Sequence, residues 1–295
     1  VGHMTARRSP TVRRRRLGME LRRLREEADY TLERVAESLE CSDSKISRIE
    51  TGQVGATPRD VRDMLELYGV NGKQRDELMQ LAREGRQRGW WNTFDDQVIR
   101  TLIGFEAAAT SVHVYEAMVV PGLLQTVDYA RAVIGAVRPG LRPEEIERRV
   151  EVRTARQRDL TQADPPALWV IIDEAALRRP VGGREVMREQ LGRLVDAAAW
   201  PTVTLQVLPL DAAEHAGMDG SFTIYEFSEP DPGVVYLENA TSDLYLETPE
   251  ELRRYTLLFD HLRAAALKPK NSCEFLTELA GELGTRQTRQ SRFPA

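Results

Sequence analysis

Between residues 17 and 28 the large apolar positions fall at Leu17, Leu21, Leu24 and Ala28. Those are steps of i, i+4, i+7 and i+11, one face of a helix, and Arg15, Arg22 and Arg23 occupy the opposite face. A second helix is predicted after Thr31, an N-capping residue type, with Leu32, Val35, Ala36 and Leu39 inward. Glu40-Cys41-Ser42 intervene, and Ser42 can cap a third helix. In CSDSKISRIETG at 41–52 only Ile46 and Ile49 are large and aliphatic, so this short helix carries a narrow buried stripe. Gly52 marks its end, where a left-handed backbone suits glycine. Thr57-Pro58-Arg59-Asp60 opens a fourth helix with a cap, a first-turn proline and an acid on the dipole. That helix turns Val61, Met64 and Leu65 inward and stops near Gly69. A fifth runs from about Gln74 to Glu84 with Leu78, Leu81 and Ala82 inward.

The segment GRQRGWWN at 85–92 interrupts this periodicity and reads as a junction, with Trp90 and Trp91 anchoring it to one domain. Beyond it the period alternates between helix and strand. Helices are predicted over 96–111, 123–136, 143–160 and 184–198. Strands are predicted over 112–120, 167–173, 202–209, 221–227 and 234–238. Thr248-Pro249-Glu250-Glu251 is a capping box onto a long helix, and a final short helix covers 272–283. The fold class is therefore multidomain: an all-α helical bundle at 11–86, a linker at 87–95, a mixed α/β (α+β) domain at 96–283 and a loose polar tail at 284–295.

Composition bounds the class. The chain has 295 residues, 41% hydrophobic and 29% charged, an ordinary globular mixture of about two domains. No run approaches the ~20 apolar residues of a membrane helix, and the arginine-rich start has no apolar core of a secretory signal. Cys41 and Cys273 have neither metal nor disulfide-framework spacing, so the expected setting is reduced and cytoplasmic. The net charge of −5 hides an asymmetry. Residues 1–88 hold 19 Lys+Arg against 15 Asp+Glu, and the remainder 22 against 31. Within 7–25 stand nine arginines and one acid, Glu20. Clustered arginine at one end of an acidic chain is either a solvated terminus or a contact for a polyanion.

Helices two and three, short and about three residues apart, make a helix-turn-helix. TLERVAESLECSDSKISRIETGQ at 31–53 resembles the Cro/lambda-repressor type, also called the xenobiotic-response-element family, over roughly residues 15–86. The resemblance rests on the L-x-x-V-A-x-x-L run, the S-x-S-x-I-S-R-I-E-x-G run and the helix after Thr57-Pro58. It implies that Ile46 and Ile49 pin the third helix from behind while its leading end enters the major groove of double-stranded DNA. Ser42, Asp43, Ser44, Lys45, Ser47 and Arg48 would then form the reading surface. Lys45 and Arg48 can donate to guanine or to phosphate, Ser44 and Ser47 to either, and Asp43 can accept from cytosine. Thr31 can bond a phosphate at the start of helix two. Glu50 reads as an intramolecular partner, since a carboxylate repels the DNA backbone. Arg13, Arg14, Arg15 and Arg16, where helix one begins, can reach backbone or minor groove. One module covers one half-site, so a homodimer is expected.

The second half lacks the signatures of an enzyme. His113, His215 and His261 are scattered, without metal spacing, and no nucleophile elbow, phosphate loop or dinucleotide fingerprint occurs. No catalytic residue, metal or cofactor is expected. VYEAMVVPGLLQTVDYARAVI at 114–134, RTARQRDL at 153–160, DEAALRRPVGG at 173–183, QVLPLDAAEHAGMDGSF at 206–222 and VVYLEN at 234–239 resemble an uncharacterised domain joined to such modules in many actinobacterial regulators. The resemblance implies a small partner protein encoded by the adjacent gene, in a toxin–antitoxin-like arrangement. By its own residues, Glu238 on an apolar strand face calls for a cation, and Arg153, Arg156 and Arg158 are the candidates. That is either a structural ion pair or, with Tyr115, Gln125 and Tyr129, the floor of a ligand or peptide pocket. The loop bearing His215 is either its lid or an ordinary turn. Partner-protein binding, small-molecule binding and a DNA-tethered hydrolase remain as readings of this half.

Overall fold

A computed structural model describes residues 9–87, 97–228, 230–239 and 243–290. Trp90, Trp91 and the rest of the expected linker core lie outside them. The molecule divides into two compact units, one taking in the chain to Ala109 with Phe227–Pro232, the other Thr110–Glu226 with the chain from Gly233.

The first unit is helical: α1 (Pro10–Glu27), α2 (Leu32–Ser38), α3 (Asp43–Glu50), α4 (Pro58–Leu67), α5 (Gly72–Glu84) and α6 (Gln97–Ala108). The predicted caps are in place. Thr31 accepts from the Arg34 amide, Ser42 from the Lys45 amide, and Thr57 and Asp60 form a reciprocal capping box. Leu17, Leu21, Leu24, Val35, Ala36, Ile46, Ile49, Val61, Met64, Leu65, Leu78, Leu81 and Ala82 make one core. Gly18 is indispensable to the crossing of α1 over α3: a Cβ there would stand 2.4 Å from the Glu50 carbonyl oxygen and 2.6 Å from that of Ile49. The turn between α2 and α3 holds Glu40 at φ 50, a left-handed position uncommon outside glycine, asparagine and aspartate.

The second unit is built on a six-stranded mixed sheet, β1 (Ser111–Glu116), β2 (Ala167–Asp173), β3 (Val203–Leu208), β4 (Phe222–Glu226), β5 (Val234–Glu238) and β6 (Asp243–Leu246), ordered β3-β2-β1-β4-β5-β6. β1, β2 and β3 run parallel; β4 pairs antiparallel with β1, β5 with β4 and β6 with β5. The parallel crossovers carry α7 (Val127–Val137) with α8 (Pro143–Gln157), then α9 (Glu174–Arg178) with α10 (Arg184–Ala198). Parallel strands joined this way are covered on both faces, and β2 is accordingly a nearly continuous buried run. α11 (Pro249–Ala265) sets Phe259 and Leu262 against Tyr115, Ile171, Phe222, Ile224 and Val235. α12 (Pro269–Gln290) packs along α10 and β3.

Four expectations are corrected. β1 ends at Glu116, not residue 120, because the chain turns away: the Ala117 amide bonds Ser221 Oγ at 3.0 Å and the Val120 amide bonds the Tyr129 hydroxyl at 3.1 Å. α7 begins at Val127, after a 3₁₀ turn at Gly122–Leu124 and the cap Thr126. The stretch 284–290, read as loose tail, continues α12. β6 was not foreseen.

The two margins of the sheet differ. Along β3, the Leu267 amide donates to the Val207 carbonyl at 2.9 Å, and the Val207 amide donates to Ser272 Oγ at 2.9 Å. Ser272 is fully buried. Among the described residues β6 has β5 as its one strand partner.

Candidate nucleic-acid interface and second-unit polar groups

The outward end of α3 begins at its cap. Ser42, Asp43, Ser44 and Arg48 are exposed, Lys45 and Ser47 half-exposed, and Thr31 stands exposed at the start of α2. Behind them Ile46 and Ile49 are buried, so the helix is fastened by one stripe and free on the other. Asp43 Oδ1 accepts from the Ser44 amide at 2.7 Å, and the Ser42 and Ser44 hydroxyls lie 3.2 Å apart. Arg48 is bonded only weakly to its own helix, Nε to the Ser44 carbonyl at 3.3 Å. Lys45 is tied down instead, its Nζ 2.9 Å from Asp60 Oδ1. Burial alone would raise the Asp60 carboxyl; the Lys45 ammonium and the Thr57 hydroxyl and amide outweigh it and hold it below the usual carboxylate range. The same bond raises Lys45.

Glu50, expected to find a partner within the chain, finds Arg25. Arg25 Nε and Nη2 donate to its two oxygens at 2.7 and 2.9 Å, and Nη1 donates to the Tyr30 carbonyl at 2.9 Å. The pair is buried and joins the last residue of α3 to α1. Bidentate geometry is the strong form of this interaction. Burial, followed by the Glu50 charge, pushes the neighbouring Tyr68 hydroxyl up.

Arg13, Arg14, Arg15 and Arg16 are helical and half-buried. Arg13 reaches Asp231 at 2.9 Å and Glu84 at 3.4 Å, and Arg16 reaches Asp231 at 3.1 Å. Arg14 Nε donates to the Gly52 carbonyl at 2.7 Å. Burial first, then the charges of Arg15 and Arg100, lower Arg14. Arg15 lies over the Phe105 ring at 5.6 Å.

In the second unit the residues proposed for one pocket fall into separate places. Gln125, Tyr129 and Arg153 gather around the Gly122–Leu124 turn: Arg153 Nη1 donates to Gln125 Oε1 at 2.7 Å, and Gln125 Nε2 donates to the Val120 carbonyl at 2.6 Å. Arg156 is half-buried on α8. Tyr115 points to the other face of the sheet, because one step along a strand changes sides. There it joins the α11 core and meets the His215 ring edge-on at 6.2 Å. His215 Nδ1 accepts from the Gly217 amide at 3.2 Å, and its Nε2 lies 3.8 Å from Asp173. The Tyr115 hydroxyl is buried with no hydrogen-bond partner among the described residues.

Glu238 is exposed at the end of β5, and its charged neighbour is Glu116. Burial, with Glu238 adding repulsion against the opposing effects of Ser221 and Arg153, pushes the Glu116 carboxyl up to about 7. Glu116 was not singled out by sequence; the mark of it was a carboxylate within the otherwise uncharged run VYEAMVV at 114–120. The loop around His215 is held by tight turns, with the Leu210 amide bonded to Glu174 Oε2 at 3.0 Å. A recess beside it is lined by Ala216, Asp219, Phe222, Leu237, Arg254 and Tyr255, among others. Among the described residues no group of three His, Cys, Asp or Glu is placed to hold a metal ion. No described helix is long and apolar enough to cross a membrane.

A family model described as a helix-turn-helix domain matches residues 16–78, and one described as a domain of unknown function, DUF5753, matches residues 99–278. No curated protein and no solved structure matches the chain.

Proposed function

Because the chain belongs to the DUF5753 family and carries a helix-turn-helix domain ahead of it, we propose a sequence-specific transcriptional regulator of the Cro/lambda-repressor type that lays α3 in the major groove and acts as a homodimer. One observation carries this reading: the polar end of α3, from Ser42 to Arg48, is open to solvent while Ile46 and Ile49 are locked into the core. An α-helix held this way fits the groove and reaches base edges. The test is selection of bound sequences from random DNA, followed by retention of the selected site by Arg48→Ala. A recovered motif that Arg48→Ala no longer holds supports the reading. Unchanged retention by a folded Arg48→Ala protein would move the contact elsewhere.

The second unit would bind a small partner protein, encoded by the adjacent gene as in an antitoxin-like pair. Supporting this, Met118 follows the carboxyl end of β1, and Leu210 and Met218 follow that of β3, which is the same end of the parallel strands. All three are more than half exposed. Exposed, adaptable apolar side chains suit a protein contact. Titration with the neighbouring gene product checks it, with Met118→Ser and Met218→Ser expected to weaken binding. The alternative is a ligand-responsive regulator with a small molecule in the recess between Asp219 and Arg254. The chain is proposed not to be an enzyme and to work in the cytoplasm.

A further inference from the structure

The loop that joins β4 to β5 belongs with the helices. The two strands count with the second unit, while Phe227–Pro232 between them falls with the first. Strand pairing runs up to that boundary: Tyr225 faces Val234 across β4 and β5, and Glu226 faces Ser111 of β1. Beyond it the Phe227 ring meets Phe105 of α6 at 5.9 Å. Asp231 Oδ1 accepts from Nη1 of Arg13 at 2.9 Å and from Nη1 of Arg16 at 3.1 Å. The Asp231 side chain is only 6% exposed, and a buried carboxylate between two guanidiniums makes a strong, charge-assisted contact. α1 is in turn fastened to α3. Gly18 brings it against the carbonyls of Ile49 and Glu50, Arg14 donates to the Gly52 carbonyl and Arg25 to Glu50.

We propose that Asp231 is the contact through which the second unit regulates the DNA-reading helix: the β4–β5 loop is clamped to α1, and α1 to α3. This inference rests on the regulator reading above and supplies a route for it. β5 is antiparallel to β4 and β4 to β1. β5 therefore leads from the Asp231 loop toward the end of the sheet where Met118 follows β1. A partner at that end and DNA on α3 act on opposite ends of one series of contacts. Coupling between two binding sites is reciprocal, so DNA on α3 must also be felt in β4 and β5. An ion pair that merely anchors a loop has no such effect.

The experiment is hydrogen exchange of the full chain, first alone and then with the DNA site selected above. Alone, Asp231→Ala is expected to speed exchange in α1, β4 and β5 together by about tenfold or more, with α10 unchanged. Arg13→Met/Arg16→Met, which leaves Asp231 in place, should do the same. With DNA, slowed exchange should extend from α3 into β4 and β5 of the unaltered protein and stop within the helices in Asp231→Ala. Faster exchange confined to Phe227–Pro232 in both variants overturns the proposal. So does DNA binding that leaves β4 and β5 of the unaltered protein unchanged, or that slows them equally in Asp231→Ala. The first arm needs no DNA, so a failed site selection would remove the regulator reading and still measure whether α1 is coupled to β4 and β5.

Discussion

Arg25 and Glu50 hold each other by two bonds of 2.7 and 2.9 Å inside the helical unit, so the end of α3 is fixed to the middle of the core. Removing one partner strands a buried charge, which typically costs 3–5 kcal/mol. Arg25→Ala and Glu50→Ala are each expected to lower stability by about that much. The double replacement Arg25→Met/Glu50→Leu should cost far less than the sum. Urea unfolding of the four proteins measures it, and single-variant losses below about 1 kcal/mol would show the pair to be no anchor.

Gly18→Ala tests the crossing of α1 and α3. Helix propensity alone favours alanine by about 1 kcal/mol. The added Cβ would meet backbone oxygens at 2.4 and 2.6 Å, which must shift, and overpacking of this kind costs about 1–3 kcal/mol. The steric cost is expected to win, with a lower Tm and weakened DNA binding together. A raised Tm would mean the helices can part freely.

Lys45 and Arg48 should separate in their effects. Arg48 is free to reach a base, so Arg48→Ala is expected to cost about 1–3 kcal/mol of specific affinity. Lys45 already bonds Asp60, so Lys45→Ala should lose less affinity and also some stability, below about 1 kcal/mol because the pair is partly exposed. The stability share has a sign in pH. Asp60 is held below its ordinary value, so its contribution is present above the unfolded carboxylate pKa and disappears as pH falls through the depressed one. Melting curves from pH 7 downward, with and without Lys45→Ala, should therefore converge in acid. Parallel curves would count against the pair.

How much of this was legible without coordinates depends on distance along the chain. Stripes and caps are local, and Ile46, Ile49, Ser42, Thr31 and Thr57 all stand where spacing put them. Glu50 was recognisable as needing a partner, but Arg25 was hidden among nine arginines. Its position was a usable signal, four residues beyond Leu21 on the inward stripe. Gly18 gave a similar one, since glycine inside a helix asks for a close approach. The bonds of Arg13 and Arg16 to Asp231 span more than two hundred residues, and no pattern in the sequence predicts them. Tyr115 was grouped with Gln125 and Tyr129 because strand parity was fixed for Glu238 and not for β1. β6, four residues long, is too short to show a period.

Glu116 predicts the opposite pH slope in the second unit. Its carboxyl is raised to about 7 from 4.5, so the folded state keeps a proton that the unfolded chain releases. The associated stability is fully present below about pH 4.5 and is lost as pH rises through about 7. Full burial would make this about 3 kcal/mol; the side chain is half-buried, so the expected loss is smaller. Glu116→Gln should flatten the decline in urea midpoint between pH 5 and 8, and an unchanged slope would assign it to other groups.

The bonds that Ser272 and Leu267 make to Val207 deny that stretch of β3 to any foreign strand. Cutting the chain before Pro269 would remove Ser272 and leave the Val207 amide open to a strand of another molecule. The last helix thus guards solubility at this margin of the sheet.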